Sequence, residues 1–261
     1  MDNLTVKDQI GRTVVVPKFP NRIVSLVPSQ TELLFDFDLS ERVVGITKFC
    51  VHPKEWFQTK TRIGGTKKLD FDAISALNPD LIIANKEENN RADIERLEKE
   101  FPVWVSDVNK LDSAIEMIQS VAEITGTDGS ILATKIQEAF GSLEPITPPK
   151  KTLYLIWKDP YMAAGSDTFI HDMMTRCGLE NAISAKRYPE LSTKEIQSLS
   201  PEVILLSSEP YPFKEKHISE LKELLPKASI KLVDGETFSW YGSRLKLAPP
   251  YFTGLSESIA R

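Results

Sequence analysis

Two cysteines, Cys50 and Cys177, are all that the 261 residues contain, too few for a disulfide framework. Either they form a single bridge or they remain two reduced, partly buried thiols. Histidine is equally scarce: His52, His171 and His217 lie far apart, with no carboxylate at the spacing of a metal site or a hydrolytic triad. Cys50 and His52 make at most a pair of metal ligands. No GxSxG, GxGxxG, P-loop or HExxH pattern occurs, so the residues on which those chemistries depend are missing. We therefore expect no enzyme, no catalytic residue, no metal site built from side chains and no required cofactor. No apolar run approaches the ~20 residues that span a bilayer, so the chain is not expected to span a membrane. Lysine and arginine number 32 against 37 acids, for a net charge of -5. The basic residues form no cluster in sequence, which argues against a nucleic-acid partner. The first residues, Met1 to Asp8, lack the basic and apolar regions of a signal peptide. The expectation is either a cytoplasmic protein or one whose leader has been removed.

What is present is a duplicated pattern. Asp70-Phe-Asp-Ala-Ile-Ser-Ala-Leu-Asn-Pro-Asp-Leu-Ile-Ile-Ala84 is echoed by Ser192-Thr-Lys-Glu-Ile-Gln-Ser-Leu-Ser-Pro-Glu-Val-Ile-Leu-Leu206. The offset between Pro79 and Pro201 is 201 − 79 = 122 positions. Each copy reads as a short helix, a proline turn with an acid, and an apolar run of buried-strand type. Arg22 to Val27 pairs in the same way with Lys151 to Ile156, and Pro102 to Ser106 with Ile230 to Asp234. Hydrophobic residues at 41% and charged residues at 26% describe a soluble globular chain long enough for two cores. The fold class is α/β, with two similar Rossmann-like lobes.

Between the copies, Ile131, Leu132, Ile136, Ala139, Phe140 and Leu143 recur at helical spacing. The spacing predicts one helix over 128–143, capped by Asp128 or Ser130 and stopped by the prolines at 145, 148 and 149. The domains are then 1–125, a connecting backbone helix at 126–145, and 146–261. Elsewhere Thr5 to Val16 reads as a hairpin, Ser29-Gln-Thr-Glu32 as a capping box opening the next helix, and Leu111 to Ile124 as a helix with Ile115, Ile118, Val121 and Ala122 inward. Lys86 to Glu100 reads as a solvated helix face. Asp167, His171 and Asp172 read as cap and dipole partners at a helix start.

In open α/β sheets ligands settle beyond the carboxyl ends of the strands. The loops there include Phe49-Cys-Val-His52, Gly64-Gly-Thr-Lys67, Trp157-Lys-Asp-Pro-Tyr161, Arg187-Tyr188 and Phe238-Ser-Trp-Tyr-Gly-Ser-Arg244. Their aromatics and cations suit a large ligand with flat apolar faces and some negative charge. Trp157 and Trp240 read either as plugs for their lobes' cores or as ligand contacts.

Arg22-Ile-Val-Ser-Leu-Val-Pro-Ser-Gln-Thr-Glu-Leu-Leu-Phe35, Val44-Gly-Ile-Thr47, Arg62-Ile-Gly-Gly-Thr66, Ile74 to Ile83 and Cys177-Gly-Leu-Glu-Asn181 resemble the helical-backbone (class III) substrate-binding proteins of ABC importers. The cobalamin-binding branch is nearest and the ferric-siderophore receptors are next. The resemblance implies two lobes on one backbone helix with a ligand cleft between them. It also implies a corrinoid ligand, with a siderophore or haem as the alternative, and delivery to a permease and ATPase complex by a monomer in the periplasm or at the cell surface. A cytoplasmic cofactor-binding α/β protein is the alternative from another class. Phe49, Trp157, Tyr188, Trp240 and Arg244, carried over position by position, are the expected ligand residues, together with Lys67 and Tyr241 from the same loops. Thr66, Asn85 and Ser239 depart from that branch's aromatics and acid. The family's pair of docking acids maps to Asp72 and to Glu195, the latter beside Lys194, which holds the equivalent position. Glu195 also reads as part of a local capping box with Ser192.

Overall fold

The continuous apolar runs become parallel strands, because a strand covered on both faces needs apolar residues at every position. In the computed structural model, which describes residues 2–260, the chain divides into two units. The first comprises Met1–Val108, Asp112–Lys135 and Tyr241–Arg244, and the second Asn109–Leu111, Ile136–Trp240 and Leu245–Arg261.

The first unit opens with the antiparallel hairpin β1 (Asn3–Lys7) and β2 (Thr13–Pro17). There follow β3 (Ile23–Ser25), α1 (Pro28–Asp36), β4 (Val43–Ile46), α2 (Lys54–Thr59), β5 (Thr61–Arg62), α3 (Phe71–Leu77), β6 (Leu81–Asn85), α4 (Arg91–Leu97), β7 (Val103–Ser106) and α5 (Leu111–Thr125). Its sheet has the order β5-β4-β3-β6-β7 with every pair parallel. The division between the units then falls inside α6 (Ser130–Gly141).

The second unit holds β8 (Lys150–Trp157), β9 (Tyr161–Ala163), α7 (Phe169–Arg176), β10 (Leu179–Asn181), β11 (Glu190–Leu191), α8 (Thr193–Leu199), β12 (Val203–Ser207), α9 (Glu215–Leu224), β13 (Ser229–Val233), α10 (Gly235–Ser239) and α11 (Ala248–Ala260). Its sheet runs β11-β9-β8-β12-β13, with β10 also on β8. β9 pairs antiparallel with both β8 and β11, and the β8, β10, β12 and β13 pairings are parallel. Leu153, Leu155, Ile196, Ile204, Leu206 and Leu221 centre one core between this sheet and its helices.

The duplication is structural as well as sequential. Both α3 and α8 span seven residues, and each is capped by the preceding side chain, Asp70 on the Ala73 amide and Ser192 on the Glu195 amide. Both end on a left-handed residue, Asn78 or Ser200, followed by a proline that cannot continue the helix. The acid after that proline has one job in both copies. Asp80 accepts the amides of Asn21 and Arg22, and Glu202 accepts the Lys151 amide and the Lys150 ammonium. Each carboxylate thereby ties the turn before one strand to the start of its neighbour in the sheet.

Three local expectations are corrected. The helix over 128–143 is Ser130–Gly141, because Asp128 stays outside it and accepts the Ser130 amide. Its buried stripe is Ala133, Ile136 and Phe140, whereas Ile131 lies 62% exposed. The helix within Lys86 to Glu100 covers only Arg91–Leu97 and buries Ile94 and Leu97. The capping box at Ser29 and Glu32 does not form: α1 begins at Pro28, with Val27 as its cap and no side-chain cap bond. Proline lacks an amide hydrogen and so fits the first helical position, which puts Ser29 inside the helix and frees Glu32 for another partner.

Candidate functional site

In the first unit the loop after β4 carries Phe49 outward. Cys50, next to it, is fully buried; its sulfur receives a hydrogen bond from Thr31 at 3.1 Å and shares another with the Thr47 hydroxyl at 3.2 Å. That anchor leaves the Phe49 ring 50% exposed, with the Lys48 ammonium 5.1 Å from its centroid. The ring rests on Gly65, where a Cβ would come within 2.9 Å of it. Gly65 belongs to the loop carrying Lys67, which is pinned from the other side: Asn89 donates to the Thr66 carbonyl at 3.0 Å and Asn90 to the Lys67 carbonyl at 2.7 Å. The Lys67 ammonium bonds the Glu87 carbonyl at 2.5 Å. Asn85, at the end of β6, is buried and bonded to Ser106, so it serves the sheet.

In the second unit Trp157 ends β8 with 39% of its surface exposed, which removes it from the core. Tyr188 lies half-buried on a loop laid across Gly165. Gly165 donates to the Arg187 carbonyl at 2.6 Å and Ser166 to the Ala185 carbonyl at 2.8 Å. A Cβ on Gly165 would stand 2.3 Å from the Ala185 carbonyl oxygen, so only glycine admits that loop. Asp167 accepts the Arg187 amide. Asp172 bonds the Leu111 amide and the Arg176 guanidinium. Thr168, rather than an acid, caps α7.

The 240–244 stretch is placed otherwise than an open loop predicts. Trp240 is 7% exposed and Tyr241 6%. The Trp240 indole donates to Glu209 at 3.0 Å, and Ser239 donates to the same oxygen at 2.8 Å. Burial pushes the Glu209 carboxyl above its ordinary range, against those two hydrogen bonds. Arg244 grips Glu32 on α1 with two bonds of 2.8 and 2.9 Å. A Cβ on Gly242, at φ +131°, would stand 3.0 Å from the Ser29 carbonyl oxygen, so glycine lets the stretch pass close to α1. The acid read as a helix cap is therefore half of an ion pair that spans 212 positions of sequence.

Asp72 is exposed in the first turn of α3, beside Phe71, on whose ring Arg96 stacks at 3.8 Å. Glu195 is also exposed, but its carboxylate bonds the Ser192 amide and hydroxyl at 2.7 Å each. Lys194 is exposed next to it. Both cysteines are free and buried. Burial raises the Cys50 thiol and pushes Cys177 up to about 12, which keeps both protonated near neutrality. Among the described residues no group of three or more metal-ligating side chains converges, and no helix is long and apolar enough to cross a membrane.

Sequence reasoning missed the Glu32–Arg244 pair and Glu209. Neither leaves a local signal, since each depends on partners tens to hundreds of positions away.

Known proteins match along most of the chain. An ABC transporter substrate-binding lipoprotein of Bacillus subtilis, itself uncharacterised, is 26% identical over 216 residues, covering 77% of this chain and 68% of its own. The solved vitamin B12-binding protein of Vibrio cholerae superposes with a TM-score of 0.79 at 18% identity, covering 94% of this chain and all of its own. The petrobactin-binding protein of Bacillus subtilis superposes with a TM-score of 0.81 at 16% identity, covering both chains in full. The profile of the periplasmic binding protein family matches residues 23–225, and the chain belongs to that family.

Proposed function

We propose that this chain is the substrate-binding component of an ABC importer and that its cargo is a corrinoid or a similar large chelate. One observation carries the reading: each unit holds an exposed aromatic ring beyond the carboxyl end of a strand, Phe49 after β4 and Trp157 at the end of β8. Exposed aromatic rings in fixed settings suit a flat ligand. Lys67 and Tyr188 complete the proposed contact set. Trp240, Tyr241 and Arg244 join it as a segment held by Glu209 and Glu32. Similar proteins named as binding vitamin B12 or petrobactin support a chelate as the cargo. The proposed setting is the periplasm or the cell surface, with the protein acting as a monomer and as a carrier, without catalysis.

Titration with cyanocobalamin, hemin and a ferric siderophore, followed by visible absorbance, tests this. One of the three should bind saturably, and Trp157→Ala or Phe49→Ala should each weaken it by about 1–3 kcal/mol with an unchanged melting temperature. Dissociation constants weaker than about 1 mM for all three would reject the reading, and tightest binding of hemin or the siderophore would reassign the cargo.

Docking on the permease is proposed to use Asp72 and Glu195, since charges at a partner's surface steer association and set register. Because glutamine also serves in a capping box, Glu195→Gln removes charge while sparing the helix start. Asp72→Asn combined with Glu195→Gln should weaken binding to the cognate permease about tenfold and leave cargo binding intact. Native docking by the double variant would remove the acidic pair from the proposal.

A further inference from the structure

Trp157 does not stand alone at the end of β8. Its ring meets Tyr211 edge to face at 5.6 Å and 67°, and the Tyr211 amide donates to the Ile156 carbonyl one residue before it. Tyr211 in turn packs on Phe213 at 4.8 Å and on His217 at 5.5 Å, and Phe213 meets His217 at 5.3 Å. His217 is 1% exposed. Its Nδ1 accepts the Lys214 amide at 2.8 Å, which opens α9 with an imidazole where a glutamate usually serves. An accepting Nδ1 carries no proton, so the neutral ring holds its proton on Nε2, 3.3 Å from the Tyr211 hydroxyl.

We propose that Tyr211 and His217 are positioning residues for the Trp157 indole, and that protonation of His217 loosens that ring and lowers affinity for the cargo. A proton added to Nδ1 would point at the Lys214 N–H, two donors facing each other, so the imidazolium cannot keep this orientation. The helix start and the Tyr211 contact are lost together. Burial lowers the His217 pKa, which places the event on the acid side of the ordinary histidine range. Among the neighbouring charges, Lys158 beyond β8 and Lys216 on α9 oppose the cation, whereas Glu220 on α9 favours it. Glu220 is itself engaged by Lys158, so its help is partly spent. The affinity part of the inference rests on the reading that Trp157 meets the cargo.

The test uses 5-fluorotryptophan incorporated in the full chain. Four tryptophans give four fluorine resonances, and Trp157→Phe identifies one of them. Between about pH 7 and about pH 5, the Trp157 resonance should titrate in the native protein and stay still in His217→Asn. Asparagine can still accept the Lys214 amide, but it neither titrates nor reaches Tyr211. Affinity for cyanocobalamin, or for hemin if that binds better, should fall at least about threefold over the same range in the native protein and stay level in His217→Asn. A Trp157 resonance that is flat in the native protein, or that titrates equally in His217→Asn, overturns the proposal. Native cargo affinity in Trp157→Ala would instead overturn the cargo reading, leaving the fluorine result to decide the coupling.

Discussion

Gly178→Ala is expected to destabilise the second unit by about 3–5 kcal/mol, combining left-handed backbone strain with a backbone collision. Gly178 sits at φ +75°, and a Cβ there would lie 2.4 Å from the Ile146 carbonyl oxygen and 2.5 Å from its nitrogen. Neither atom can move cheaply. The Ile146 amide is bonded to the Cys177 carbonyl at 2.9 Å, and the Gly178 carbonyl receives the Lys150 amide at 3.0 Å. The glycine ends α7 and passes the chain directly into β10, whose Leu179 is fully buried. Urea unfolding followed by circular dichroism measures the cost. A loss under about 1 kcal/mol would show that the backbone shifts to admit the methyl group.

Trp240→Ala is expected to cost about 3–5 kcal/mol of stability, the range of a large aromatic removed from a packed site. Alanine vacates a 7% exposed position and withdraws one of the two donors that serve the Glu209 oxygen. Trp240→Phe separates these effects: most of the ring volume returns, and what remains of the loss reports the hydrogen bond, about 1.5–3 kcal/mol for a charged acceptor. The pH dependence follows from Glu209. The fold raises this carboxyl's pKa, so its stabilising contribution is fully present below the unfolded-state value and is lost as pH rises through the folded-state value. Glu209→Gln keeps an acceptor for both donors and should abolish that loss. Thermal melts across the acidic range measure both effects, and a Trp240→Ala protein with native stability would leave cargo contact as the residue's proposed role.

Much of the architecture was legible because it rests on short-range chemistry. Asp70 and Ser192 announce helix starts, Pro79 and Pro201 announce their ends, and Leu81 to Asn85 and Val203 to Ser207 read as buried strands from composition alone. Cys177-Gly178-Leu179, part of the resemblance, is explained by helix termination and close packing, so its presence speaks for the fold and is silent about cargo. Phe49 was readable as a residue of a strand-end loop, whereas Trp157, flanked by strand residues, stayed open between core plug and ligand contact until its 39% exposure put it outside the core.

The sequence by itself determined the two-unit α/β plan: period, caps and proline turns act within a few residues, and the repeat states the plan twice. Only the tertiary structure decided which charged and aromatic residues are exposed and which are engaged by partners within the fold. Glu32 satisfies a helix-cap pattern and Arg244 a ligand-loop pattern, but an ion pair forms wherever folding brings two opposite charges together, here across 212 positions. Trp240 likewise sits among glycine, serine and arginine in the chain, yet its burial is set by Glu209 and by surfaces that no local window contains.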